Sequence, residues 1–282
     1  MTAVSRRRPA HRSIRLDRSL EALPLFRLSD SADDDIISLG DEQGNRWRVL
    51  PGAGDRLPGT FDQDVYVELL RRFHEAGEPA DGAVSFTLHA FLRAMGRRVD
   101  GRTYEQLRNA LGRLEKTRLE SHGMYELKNN PKPELQFTLL TSVSVERRRI
   151  LDREQLQLFN QLSAGEPGVA RVVLAPTMRE NIAANHVVSL SSACYWSLGS
   201  PVARRLYRLL EVARVEERLT WRIALERLAE QLPLAQRYPS HLQRVLQPAH
   251  DMLIAAGVLR NAAVRQHQRQ WFVDYVLGSR PT

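Results

Sequence analysis

The 282-residue chain is poor in cysteine and in lysine. Cys194 is its one cysteine, so no disulfide can close within it and no thiolate cluster can hold a metal. Of its 41 basic Lys and Arg residues, only Lys116, Lys128 and Lys132 are lysines. Long apolar runs are missing too. Nothing approaches the roughly 18 uncharged apolar residues of a membrane span. The basic start MTAVSRRRPAHRSIRLDR is not followed by the apolar core and small-residue cleavage site of a secretory signal. A reducing cytoplasm is therefore the expected compartment. There is no GxxxxGKS or GxxxxGKT phosphate loop, and the eight histidines include no His-x-His pair. Neither ATP hydrolysis nor tyrosine-dependent strand nicking is expected, nor any cofactor or metal. Cys194, beside Tyr195, reads as a packed position.

Positive charge is what the chain has in surplus. A formal charge of +8 and a pI near 10.1 fit a polyanionic partner, most simply nucleic acid. The preference for arginine over lysine can also come from GC-rich coding. The hydrophobic fraction of 43% and charged fraction of 26% are those of a globular protein. The length allows two domains, each with its own core.

Residues 1–35 read as a basic, flexible arm carrying Arg6, Arg7, Arg8, Arg12, Arg15 and Arg18. It is either solvated or lies on phosphates. After it the same order of elements occurs twice. The first series is helix 62–76, strand 84–87, short helix 88–95, helix 101–118 and a hairpin over 119–148. The second is helix 200–217, strand 219–222, short helix 224–232, helix 239–256 and a hairpin over 258–277. Ser200 suits an N-cap and Pro201 the first helical position. Helix, strand, two helices and a two-stranded wing is the winged-helix arrangement, whose third helix lies in a DNA major groove. The fold expected is thus α+β, with two tandem winged-helix domains related by a pseudo-twofold internal repeat. They span 36–150 and 187–282, joined by a connector over 151–186.

Each third helix has two faces. In GRTYEQLRNALGRLEKTRLES (101–121), Tyr104, Leu107, Ala110, Leu111 and Leu114 share an arc that suits a core. Opposite them fall Arg102, Gln106, Asn109, Arg113 and Lys116. Arginine pairs bidentately with guanine, and Asn or Gln with adenine. That face either reads bases or is merely solvated. In the second series Leu242, Val245, Leu246, Ala249, Met252, Leu253 and Ala256 form the core side. Ser240, Gln243, Arg244, Gln247 and Asp251 point away. Arg237 sits just before that helix, where a phosphate contact fits. Pro248, inside the pattern, is expected to kink or divide the helix. Arg265, His267 and Arg269 lie around the second wing tip. Lys128 and Lys132 lie at the first, with Arg147, Arg148 and Arg149 after it. Such cations touch phosphates or are solvated.

The segment SLSSACYWSLGSPVARRLYRLLEVAR (189–214), together with 101–121, resembles the replication initiator protein A family of bacterial plasmids, the RepA-like initiators. The resemblance rests on Gly101, Arg102, Thr103, Tyr104, Leu107, Ala110, Leu111, Arg113 and Leu114. It rests further on Leu190, Ser191, Tyr195, Leu198, Arg204, Arg205, Leu206, Tyr207 and Leu209. It implies a sequence-specific double-stranded DNA-binding initiator of a plasmid or secondary replicon, binding repeated origin sites and promoting origin opening. It also implies a homodimer that can bind DNA as a monomer, and host replication proteins as partners. In such initiators the N-terminal module favours dimerisation and the C-terminal one makes the tighter base contacts. Arg204, Arg205 and Arg208 either support the fold or contact phosphates. The alternative function is a winged-helix transcriptional regulator without an initiator role.

Overall fold

A computed structural model of the chain describes residues 13–28, 36–128, 133–145, 169–214, 219–236 and 238–280. It begins with strand β1 (Ser13–Asp17) and a single helical turn, α1 (Arg18–Glu21). Strands β2 (Ile37–Gly40) and β3 (Arg46–Leu50) lead to the long helix α2 (Thr60–Glu75). Strand β4 (Ala83–Thr87), helix α3 (Leu88–Ala94) and helix α4 (Gly101–Lys116) follow. Next come β5 (Arg118–His122), β6 (Glu134–Phe137), β7 (Leu140–Val145) and β8 (Val169–Leu174). Helix α5 (Pro176–Ala183), β9 (Val187–Ser191), α6 (Ser192–Ser197) and α7 (Pro201–Ala213) occupy the middle of the chain. The last elements are β10 (Thr220–Ala224), α8 (Leu225–Gln231), α9 (Pro239–Ala255), β11 (Leu259–His267) and β12 (Gln270–Leu277). The fold is α+β.

Local chemistry explains most of these boundaries. Asp100 accepts from the Thr103 amide while Thr103 returns a bond to the Asp100 amide, and this reciprocal cap starts α4. Ser200 caps α7 with Pro201 at its first position, as the sequence predicts. α9 stops where Gly257 takes φ +73° and the Val258 amide reaches back to the Leu253 carbonyl. That left-handed turn delivers the chain directly into β11.

Among the described residues four antiparallel sheets result. Two share one plan. β4-β8-β7 and β10-β12-β11 each place the third strand of their series between the first and second. Each is preceded by the same order of helices. Leu107, Ala110, Leu111 and Leu114 of α4 are fully buried, as are Leu246 and Leu253 of α9.

Three departures from the sequence reading have physical causes. First, residues 13–28 are not a loose arm. β1 pairs with β9, from Ser13 opposite Ser191 to Asp17 opposite Val187, and Ile14, Leu16, Leu20, Leu25 and Phe26 enter the core. The six arginines of residues 6–18 masked a short alternating strand. Residues 1–12 and 29–35, with Arg6, Arg7, Arg8 and Arg12, lie outside the described residues. Second, the hairpin read over 119–148 is two structures. β5 pairs with β6, Leu119 opposite Phe137, inside the sheet β2-β3-β5-β6, whereas β7 turns away to pair with β8. The unbroken strand-like run FTLLTSV, with no Gly or Pro to mark a break, hid that change of sheet. Third, β8 lies within the stretch read as a connector, yet it is the central strand of the first three-stranded sheet.

Between the two series runs a buried polar network. Arg205 and Arg208, each 1% exposed, both face the Glu21 carboxylate, at 3.4 and 3.3 Å. Arg205 also donates to the carbonyls of Glu21 and Leu23, both at 2.9 Å. Arg208 reaches Gln63 on α2 at 3.0 Å, and the Tyr66 hydroxyl donates to Glu21 at 3.0 Å. Burial, and then the neighbouring Arg208, pull the Arg205 pKa down to about 10. Removing Glu21 leaves two buried cations without their anion. Glu21→Ala is expected to cost about 3–5 kcal/mol, read as a lower urea midpoint.

Asp17 is the second buried acid. It accepts from the Ser19 and Leu20 amides at the start of α1, from Asn181 at 3.1 Å, and from the Tyr125 hydroxyl. Burial outweighs these bonds and raises its pKa to about 7. Between pH 4 and 7 the folded state therefore holds a proton that the unfolded state has released. Stability contributed by Asp17 is greatest below pH 4, declines as pH rises, and levels off above 7. Asp17→Asn keeps the cap and removes this slope. Relative to the parent, the variant should gain about 2–4 kcal/mol between pH 4 and 8 in chemical denaturation.

Candidate nucleic-acid interface

Helices α4 and α9 hold equivalent places in the two series. On α4 the exposed residues are Arg102, Gln106, Asn109 and Lys116, with Glu105 and Arg108 among them. The buried arc fixes this outcome, because about 100° per residue carries those positions to the far side. Tyr104 is only half-buried, at the rim of the core, with its hydroxyl 3.4 Å from His89. Among the sequence-predicted positions on this helix, Arg113 is the exception. It is 7% exposed and clamps Asp62 at the start of α2 through Nε at 3.2 Å and Nη2 at 3.0 Å. Asp55 stands 3.8 Å away. Arg113 therefore braces α4 against α2 and presents nothing outward.

On α9, Ser240, Arg244 and Gln247 are exposed and Gln243 is half-buried. Gln247 donates to Asp251 at 2.8 Å. Arg237 lies outside the described residues. Pro248 does not divide the helix, which runs through it. The amide missing at Pro248 would have served the Arg244 carbonyl, and both residues sit on the exposed face where water can serve instead. The core arc is shifted from the sequence reading. Met252 is 38% exposed, whereas His250 is buried with Nε2 2.9 Å from the Tyr275 hydroxyl. Burial drives the His250 pKa down to about 4, so it is neutral and acts as a hydrogen-bonded core residue.

The wings differ. The tip of β11–β12 is Gln268–Arg269, with Gln268 at φ +55°. Arg265, His267 and Arg269 around it are exposed. Arg265 stands 3.9 Å from Asp274, whose stronger partner is Arg222. The segment joining β7 to β8, with Arg147, Arg148 and Arg149, lies outside the described residues, as does Lys132. Lys128 is not at a wing tip: its ammonium donates to the Ala184 carbonyl at the end of α5.

Arg204 and Arg205 also leave the candidate surface. Arg205 is buried in the Glu21 network. Arg204 has 12% side-chain exposure, pairs with Asp64 at 2.5 Å, and lies over the Tyr195 and Trp196 rings. Sequence reasoning overlooked the turn before α4. RAMGRRVDGR (93–102) holds four arginines, and Arg93, Arg97 and Arg98 are exposed. That density was the available signal. Tyr238, 70% exposed at the start of α9, was also overlooked. Among the described residues no group of His, Cys, Asp or Glu could hold a metal ion, and no helix is long and apolar enough to cross a membrane.

Residues 15–252 match the family model described as replication initiator protein A. The chain belongs to that family. A protein of Wigglesworthia glossinidia brevipalpis, named as a candidate replication protein, is 25% identical over 177 residues. The match covers 61% of this chain and 58% of that relative's length. Two solved structures share the fold. Domains 2 and 3 of RctB superpose with a TM-score of 0.58 at 14% identity, covering 93% of this chain and 99% of theirs. The Pi initiator protein, solved in complex with iteron DNA, gives 0.56 at 13% identity, covering 96% and 100%.

In this chain the residues that carry the family resemblance are chiefly interior. Leu190, Tyr195, Leu198, Arg205, Leu206, Tyr207 and Leu209 are all buried, and the Tyr207 hydroxyl accepts from the Ser191 amide at 3.0 Å. The motif marks a fold rather than a binding surface. Arg113 gives a sharp check. Arg113→Ala leaves Asp62 buried without its cation and is expected to destabilise the protein by about 3–5 kcal/mol. Burial already raises the Asp62 pKa, so protonation relieves part of that loss and the deficit is larger at pH 8 than at pH 5. Urea denaturation at both pH values reads this; a base-reading arginine would instead leave stability unchanged.

Proposed function

We propose that this chain is a sequence-specific double-stranded DNA-binding initiator of a plasmid or secondary replicon, built from two tandem winged-helix modules. The observation that carries the reading is the equivalence of α4 and α9. Each is the third helix of its series, each is followed by the two remaining strands of a three-stranded sheet, and each exposes arginine with Asn or Gln. Arginine and amide side chains on such helices are the groups that read guanine and adenine edges in the major groove. The exposed Arg265 and Arg269 of the second wing supply phosphate contacts that fix register. Membership of the replication initiator protein A family, and a fold shared with a protein solved on iteron DNA, support repeated origin sites as the target.

On this reading α9 supplies base contacts through Ser240, Gln243, Arg244 and Gln247, with Arg237 on a phosphate. α4 supplies Arg102, Gln106, Asn109 and Lys116. The protein acts in the cytoplasm, opens the adjacent duplex, recruits host replication proteins, and exists as a dimer off DNA and a monomer on it. Footprinting on the DNA flanking the gene tests this. Tandem repeats spaced by one or two helical turns beside an AT-rich tract are expected. A single palindrome upstream of a promoter would instead make the protein a transcriptional regulator. Arg244→Ala should lower affinity for the selected site by about 1–3 kcal/mol and relax preference at one base position, measured by competition binding at fixed salt.

A further inference from the structure

Where the two series meet, the surface opens into a cleft of about 530 Å³. Its lining includes Arg93 and Arg97 from the end of α3 and the turn after it, Trp196 from α6, and Arg204 from α7. Thr60 and Pro201, the first residues of α2 and α7, also border it. Asp64 lies beneath, 2% exposed. It holds Arg97 at 2.8 Å and Arg204 at 2.5 Å, and accepts from the Tyr195 hydroxyl at 3.2 Å. Arg204 is further fixed by the Leu198 carbonyl at 2.8 Å and by the Trp196 ring, 5.3 Å from its guanidinium carbon. Arg97 lies over Phe61 at 5.7 Å. Among the described residues the Arg93 side chain makes no hydrogen bond or ion pair.

Three arginines thus line the cleft over one carboxylate, which pairs with two of them, leaving a surplus of two positive charges. Two of the three are held in place by a buried acid, aromatic faces or a carbonyl. Asp64 cannot serve as the outer partner, since its oxygens are already taken by Arg97, Arg204 and Tyr195. Arginines held in advance and short of anions are suited to phosphate oxygens, which accept from the planar fork in pairs.

We propose that this cleft is a phosphate-binding site. On the initiator reading above, on which this part rests, the phosphate belongs to the DNA backbone between the stretches contacted by α4 and α9. The cleft then fixes how one module is set relative to the other along the duplex, without reading sequence. A free phosphate compound offers the same chemistry, and the test separates the two.

The full chain is compared with Arg93→Gln and with Arg93→Gln/Arg97→Gln. Arg93 is exposed and unengaged, so the single variant keeps the fold even if the double variant does not. Binding is measured from 50 to 200 mM salt on a 40-base-pair duplex selected by the protein from a random library, and on a scrambled duplex. For a backbone site the single variant lowers the slope of log K against log salt by about one, with the double variant lower still. It weakens binding to both duplexes by the same factor. Pyrophosphate is titrated against the same proteins, following Trp196 fluorescence by difference from Trp196→Phe. Saturable pyrophosphate binding that is lost in Arg93→Gln, with an unchanged DNA slope, assigns the cleft to a free phosphate compound. An unchanged slope together with no such binding overturns the proposal. Failure of the wild type to select any duplex sinks the initiator reading alone, because the pyrophosphate titration still tests the cleft.

Discussion

One buried acid ties the two series of elements together. Glu21 comes from the single helical turn of the N-terminal segment, yet its partners Arg205 and Arg208 stand on α7 and its hydroxyl partner Tyr66 on α2. Neither cation could be buried there alone, since desolvating an unpaired guanidinium costs more than packing returns. The N-terminal segment is consequently a structural member that ties the first series to the second. Asp64 with Arg204, and Gln63 with Arg208, repeat the tie from the α2 side. An apolar seam would tolerate sliding. Directional bonds between fixed donors and acceptors select one relation between the modules.

This divides the arginine surplus into two populations. Arg113, Arg204, Arg205 and Arg208 face carboxylates in the interior or near it and spend their charge there. Arg93, Arg102, Arg244 and Arg269 are exposed and carry their charge to the surface. A formal charge of +8 says nothing of this division. Its physical basis is the location of the acids, because each of those four interior arginines has a buried carboxylate in its own network.

Much of the architecture was legible in sequence because it rests on local rules. The apolar arcs of α4 and α7, the cap at Ser200 with Pro201, and the short strand–helix pairs at 83–94 and 220–231 all follow from periodicity and end chemistry. The features that were not legible are long-range. Arg113 sits on the polar side of its helix by count, and only the nearness of Asp62, 51 positions earlier, draws it inward. Ile14 and Leu16 are two alternating apolar residues amid arginines, and their partner strand lies at 187–191. The last strand of the first wing was sought next to its neighbour in sequence, whereas it comes after a long intervening stretch. His250 exchanged places with Met252 for want of knowledge that Tyr275 would offer it a hydroxyl.

The pairing of β1 with β9 also governs how the chain can be made. Ser13 finds Ser191 only after some two-thirds of the polypeptide has been synthesised. Until then the apolar residues of the N-terminal segment have no sheet to join, and Glu21 has neither of its arginines. The first three-stranded sheet waits in the same way for β8, its central strand. The hairpin β11–β12 needs only a two-residue reversal and forms quickly once it emerges. A growing chain of this kind does not complete its first half before starting its second. It carries unpaired strand edges through most of translation, and those edges stay open to mispairing until their partners emerge.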